Sequence, residues 1–252
     1  MKSFSLITRI NTMRLFILLI LLTGTGTFAQ QVPIIPLPNQ YVKLDGTFTL
    51  SGNTPIIADD EAFRSQANFL QQEMLKTIDL NLNLQKNSIV PSIVLSKLKS
   101  SGDAPGAYRL MITGKQIRIS SASEEGLFYG INSLMQLVRQ AALKGKPVVV
   151  NSWDIRDQPK YSWRGLMLDE SRHFFGKETV KFLLDWMAVY KLNRFHWHLS
   201  DEPGWRMEIK KYPKLALVGG IGNFTDPFAP AKYYTQEDIK EIIAYARERF
   251  IM

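Results

Sequence analysis

The stretch FHWHLSDEPGW, Phe195 to Trp205, holds two of the three histidines, two of the five tryptophans and a pair of adjacent carboxylates. Its opening residues, with Arg194 before them, have the two-residue alternation of a β-strand. His196 and His198 therefore share one face, while Phe195, Trp197 and Leu199 share the other. The segment SDEPGW then leaves the strand as an irregular connection. Upstream, KETVKFLLDWMAVYKLN places Val180, Leu183, Leu184 and Met187 at helical spacing, and before it RGLMLD (Arg164–Asp169) reads as a mostly apolar strand. Downstream, TQEDIKEIIAYARERF opens with Thr235 and Asp238 in a capping-box pattern, and Ile239, Ile242, Ile243 and Ala246 form its apolar stripe.

The order strand, helix, strand, helix, with crossover-length links, predicts parallel pairing and an α/β architecture. The strands are apolar on both faces, as expected where helices cover them. A (β/α) barrel and a doubly wound sheet both fit this pattern. In either, functional groups collect at the carboxyl ends of the strands. Asp169, Arg172, His173, Asp201, Glu202 and Trp205 are thereby expected on one rim.

Three chemistries compete for that rim. The His196/His198 pair could hold a metal with Asp169 as a further ligand, or could be buried, hydrogen-bonded support for the rim carboxylates. Asp201 and Glu202 are candidate paired acids, although consecutive residues point in different directions. The Arg172 fork beside carboxylates, with Trp205 as a stacking or core ring, suits a hydroxyl-rich ligand.

The preceding part of the chain gathers no such groups. Residues 30–155 are expected to form a small α+β domain. YVKLDGTFTLSG (Tyr41–Gly52) reads as a hairpin about Asp45-Gly46, and Glu61–Thr77 as a helix burying Phe63, Ala67, Leu70 and Met74. SIVLS (Ser92–Ser96) reads as a strand, and Tyr108–Ile112 against Gln116–Ser120 as a hairpin. A helix capped by Ser123 then presents Leu127, Ile131, Leu134 and Val138. DIRDQPKYSW reads as a linker.

The first 29 residues have a different character. Lys2, Arg9 and Arg14 precede the apolar run Leu15–Leu22 and small residues at Thr27 and Ala29, the pattern of an export signal cut before Gln30. The apolar run is too short for a spanning helix, so no stable membrane anchor is expected after cleavage and the mature chain is expected in the periplasm or outside the cell. The formal charge of +8 falls to +5 without those three cations, and no dense basic run marks a nucleic-acid partner. With no cysteine in the sequence, disulfides and thiolate metal sites are excluded.

WRGLMLDESRHFF, YKLNRFHWHLSDEPGWRMEIKKYPKL and YYTQEDIKEIIAYARERF, in that order and spacing over about residues 163–250, resemble glycoside hydrolase family 20, the β-N-acetylhexosaminidases. AYRLMIT and SSASEEGLFYGINSLMQL resemble the small domain that precedes the barrel in that family. The resemblance implies a (β/α)8 TIM barrel, of which residues 156–252 supply the first two β/α units. It also implies retaining, substrate-assisted hydrolysis of terminal β-linked N-acetylglucosamine or N-acetylgalactosamine from a glycan or chitooligosaccharide, with no metal or other cofactor. Arg172 matches the arginine that binds hydroxyls of the terminal sugar, Asp201 the rim aspartate, and His198 a supporting position. Glu202 and Trp205 belong to the same loop. Glu170 and the DEPGW sequence depart from the family pattern.

The catalytic Asp-Glu pair of the family is expected beyond Met252. Trp163 to Met252 is 90 residues, against roughly 250 for a whole barrel. An amino-terminal fragment, inactive alone, is therefore the expectation. A non-catalytic carbohydrate-binding module and a metal-dependent TIM-barrel hydrolase are the alternatives.

Overall fold

The computed structural model describes residues 31–86, 90–98 and 104–252. The export signal read at residues 1–29 lies outside the described residues.

Seven strands form one mixed sheet: β1 (Gln40–Thr49), β2 (Ile56–Ala58), β3 (Leu84–Gln85), β4 (Ser92–Lys97), β5 (Tyr108–Ile112), β6 (Gln116–Ser121) and β7 (Val149–Asp157). Their order is β1-β7-β5-β6-β4-β2-β3. Helices α1 (Arg64–Ile78) and α2 (Glu124–Ala142) pack on the sheet. Phe63, Leu70 and Met74 are buried, as their spacing requires, together with Leu127, Ile131, Leu134 and Val138 of α2. Ser123 caps α2 by accepting from Gly126 N–H at 3.1 Å. A Cβ on Gly126 would lie 2.2 Å from Ala107 O, so only glycine lets the first turn of α2 approach the chain entering β5.

Two readings of this region are corrected. Tyr41–Gly52 is not a hairpin: β1 runs unbroken beside β7, from Gln40↔Arg156 to Thr49↔Val149. Asp45-Gly46 instead lies where the register slips between Lys43 and Thr47, with Gly46 at φ +92°. The left-handed glycine that a tight turn needs serves equally well in a bulge, and the long partner strand decides between them. That partner also absorbs the supposed linker, since Asp154–Asp157 end β7 with Ile155 in the core.

A second, two-stranded sheet pairs β8 (Gly165–Asp169) with β9 (Arg194–His198) in parallel, from Gly165↔Arg194 to Asp169↔His198. Helix α3 (Lys177–Val189) makes the crossover between them. A single turn, α4 (Lys214–Leu217), precedes α5 (Gln236–Arg247), whose first turn has the complete capping box of Thr235 and Asp238. Val180, Leu184 and Met187 of α3 pack with Ile242 of α5, Tyr234 and Ile251, and Leu168, Phe195 and Trp197 lie against them. These strands are covered on one face only among the described residues. Met167 is 54% exposed and His196 is exposed, against the two-sided burial expected from composition.

A buried polar cluster joins the two sheets. Lys191, at φ +59° after α3, donates from Nζ to Asp157 Oδ2 at 2.9 Å and to Tyr108 OH at 2.8 Å. Tyr108 OH also lies 2.6 Å from Ser133 Oγ. Burial alone would push the Lys191 ammonium below its ordinary range, and Asp157 opposes that shift.

Candidate functional site at the ends of two parallel strands

Asp169 and His198 are paired as the last residues of β8 and β9, so the chains leaving both strands start side by side. Asp169 turns its own chain back: Oδ1 accepts from Arg172 N–H at 3.1 Å and Oδ2 from Arg172 Nη1 at 3.0 Å. From the other strand, Asp201 Oδ2 meets the same Nη1 at 2.6 Å. One guanidinium nitrogen therefore bridges the carboxylates of both strand ends. Arg172 Nε and Nη2 have no protein partner among the described residues, and 40% of the side chain is exposed.

Asp201 is fixed from three sides. His198 Nε2 lies 3.0 Å from its Oδ2, and Glu202 N–H donates to its Oδ1 at 2.7 Å. The His198 bond, then the Glu202 backbone bond and the Arg172 charge, hold the Asp201 carboxyl below the usual range. The loop that carries it is a minimal hairpin, β10 (Ser200–Asp201) with β11 (Gly204–Trp205), in which Asp201 faces Gly204. Glu202 sits exposed at its tip and takes part through its backbone N–H. Trp205 is half-buried, with its indole N–H donated to Met207 O at 2.6 Å, so its polar edge is committed to the protein.

Arg172, Asp201 and His198 thus come together as the sequence predicts, with Asp169 as a fourth member. His173 turns aside, with Nε2 3.3 Å from Thr225 Oγ1. Of the two histidines expected as buried supports, neither is buried: His198 is half-buried and bonded to Asp201. His196 is exposed, in edge contact with His198 at 5.4 Å between ring centroids. Among the described residues no group of three or more His, Asp, Glu or Cys could hold a metal ion. Asp169, the further ligand considered, is committed to Arg172.

Two residues that shape the rim escape sequence reasoning. Glu170 is fully buried, and its oxygens accept from Phe175 N–H at 2.7 Å and Tyr234 OH at 2.5 Å. Burial pushes its carboxyl above the ordinary range against these bonds. Arg206 is also buried, and every bond its guanidinium makes goes to a backbone carbonyl: Glu170, Ser171, Gly220, Gly222 and Lys232. It ties the chain leaving β8 to the loop around residues 219–222. The mismatch of Glu170 with the family pattern was its one sequence signal; Arg206 gave none.

The rim lies at the carboxyl ends of parallel strands, where α/β enzymes place their ligand sites. The model of glycosyl hydrolase family 20, catalytic domain, matches residues 161–252, and that of domain 2 of the same family matches residues 31–158. The chain belongs to glycosyl hydrolase family 20. It is 35% identical to a beta-hexosaminidase of Porphyromonas gingivalis over 231 residues, covering 87% of this chain and 29% of that protein. It is also 35% identical to a beta-hexosaminidase of Vibrio furnissii, covering 90% of this chain and 37% of that protein. A solved family-20 exo-β-N-acetylglucosaminidase of Vibrio harveyi, in complex with N-acetylglucosamine, superposes with a TM-score of 0.78 at 29% identity, covering 89% of this chain and 36% of that one. The chain spans about a third of the length of the curated relatives it matches.

Proposed function

We propose that the rim of Arg172, Asp169, Asp201 and His198 binds the terminal, β-linked N-acetylhexosamine of a glycan or chitooligosaccharide, as part of a β-N-acetylhexosaminidase. The observation that carries this reading is the state of Arg172. Two carboxylates fix its position through one nitrogen, while its other N–H groups are left for a ligand rich in acceptors. Sugar hydroxyls, each donor and acceptor, suit both the guanidinium and the flanking carboxylates. The beta-hexosaminidase relatives and the N-acetylglucosamine complex of a structural neighbour support the same substrate class.

In this reading residues 30–155 are the small α+β domain and residues 156–252 begin a (β/α)8 barrel. Residues 1–29 direct export to the periplasm or beyond. Among the described residues no helix is long and apolar enough to cross a membrane.

Hydrolysis proceeds with the sugar's own acetamido oxygen attacking the anomeric carbon, while a carboxylic acid protonates the leaving oxygen. On the described rim Asp201 and Asp169 are paired with Arg172, the Glu170 carboxyl faces Phe175 and Tyr234 inside the protein, and Glu202 stands exposed at the hairpin tip. The donor in this reading is the glutamate of the Asp-Glu pair that the family resemblance implies, and none of these four carboxylates. Purified 252-residue chain should leave a chromogenic β-N-acetylglucosaminide intact. Turnover abolished by Arg172→Ala would overturn the assignment of the donor.

A further inference from the structure

Residues 170–175 form the turn that carries Arg172 away from β8. Its near end is fixed by neighbours on β9 and β11. Glu170 N–H and Ser171 N–H both donate to His198 O, at 3.0 and 3.2 Å, and Ser171 Oγ donates to Gly204 O at 2.8 Å. Its far end is fixed by the Glu170 side chain. Oε2 accepts from Phe175 N–H at 2.7 Å, closing the turn across Arg172, and Oε1 accepts from Tyr234 OH at 2.5 Å. Tyr234 is buried just ahead of α5. Its ring lies against Phe174 of the same turn and Trp197 of β9, with centroids 4.6 and 4.7 Å apart.

For stability alone a carboxylate is a poor choice at this position. Glu170 is fully buried and forms no ion pair among the described residues. Burial raises its pKa in spite of the bonds it accepts, so the ionised side chain carries a net cost here. Groups that cost stability persist where they serve a site. The one this carboxylate closes is the turn of Arg172, two residues further on. A binding side chain held in place beforehand loses less freedom when the ligand arrives.

We propose that Glu170 is a positioning residue for sugar binding: by accepting from Phe175 N–H and Tyr234 OH it closes the turn that presents Arg172 and sets the guanidinium before the sugar arrives. The role rests on the reading of Arg172 as the terminal-sugar residue. The test titrates the 252-residue chain with N-acetylglucosamine by calorimetry at pH 7 and follows the Arg172 Nε–H signal by NMR. Glu170→Met, which keeps the volume and removes both acceptors, should weaken binding about tenfold and shift or broaden that signal. Glu170→Gln, which can still accept from Phe175 N–H, should bind within roughly threefold of wild type with the signal in place. Thr235→Ala, destabilised at the α5 cap, should leave affinity and signal unchanged, which separates positioning from general loss of stability. If Glu170→Met does not fold, Tyr234→Phe replaces it: losing one of the two donors should weaken binding roughly two- to fourfold and move the signal in the same direction. Unchanged affinity in the folded variant, or weakened affinity with the Arg172 signal unmoved, overturns the positioning role; Arg172→Ala still abolishing binding then leaves the arginine's role standing. Binding that survives Arg172→Ala overturns that role, and the positioning with it.

Discussion

Replacing Arg206 by methionine should destabilise the chain by about 3–5 kcal/mol, near the upper limit for a single substitution. The guanidinium makes five hydrogen bonds: to Glu170 O (3.1 Å), Ser171 O (3.1 Å), Gly220 O (2.6 Å), Gly222 O (2.8 Å) and Lys232 O (3.3 Å). Hydrogen bonds to a charged group contribute about 1.5–3 kcal/mol each, so simple addition would exceed any plausible loss. Two effects reduce the sum. Desolvation already disfavours the buried cation, as the lowering of its pKa by burial indicates, and the longest bonds are weak. Methionine also refills part of the volume beside Gly204, where the guanidinium packs.

Urea denaturation followed by far-UV circular dichroism gives the loss from the shift in midpoint. With a slope of about 2 kcal/mol per molar urea, the midpoint should fall by roughly 1.5–2.5 M. Amides in the segments that Arg206 ties together, around residues 170–175 and 219–224, should exchange faster well below that midpoint. Arg206→Lys should recover little, because one ammonium cannot reach carbonyls spread around a planar fork. A loss under about 1 kcal/mol, with exchange unchanged, would refute the clamp.

Glu170→Gln should remove a pH dependence of stability. Burial raises the folded-state pKa above its ordinary 4.5, so the folded chain holds this proton more tightly than the unfolded chain. The wild type therefore loses stability relative to the glutamine variant as pH rises from about 4.5 through the folded value, and denaturation across that window checks the sign. The opposite dependence belongs to Asp154, held low by Arg109, and Asp238, held low by the Thr235 cap and then Lys177. Their stabilisation is present above pH 3.8 and should disappear as pH falls below it, which acid titration at constant urea would measure. Thr235→Ala, which breaks the capping box of α5, should cost about 1 kcal/mol in the same denaturation assay.

The parts of this fold that were legible in the sequence are those with a local period. β8, α3, β9 and α5 each show their two- or 3.6-residue pattern, and their order alone dictates the parallel pair. That pairing places Asp169 and His198 side by side, with Arg172 and Asp201 within three residues of them. Asp45-Gly46 misled because a turn dipeptide is a local signal, while its competitor β7 lies about a hundred residues away. Glu170 and Arg206 occupy irregular chain, where no period distinguishes a buried charge from an exposed one. Their burial follows from carbonyls and hydroxyls supplied by residues up to 64 positions distant. His196 and His198 are equivalent by strand alternation, and only the β10–β11 hairpin, which brings Asp201 back over one of them, separates their roles.

Arg172, held by Asp169 and Asp201, is proposed to bind the terminal N-acetylhexosamine. The most direct measurement is calorimetric titration of the 252-residue chain with N-acetylglucosamine, beside Arg172→Ala and with far-UV spectra confirming that both are folded. Saturable binding that weakens about tenfold or more in the variant is the expected result. Equal affinity in the two proteins, or a folded chain that takes up no N-acetylglucosamine, would contradict it.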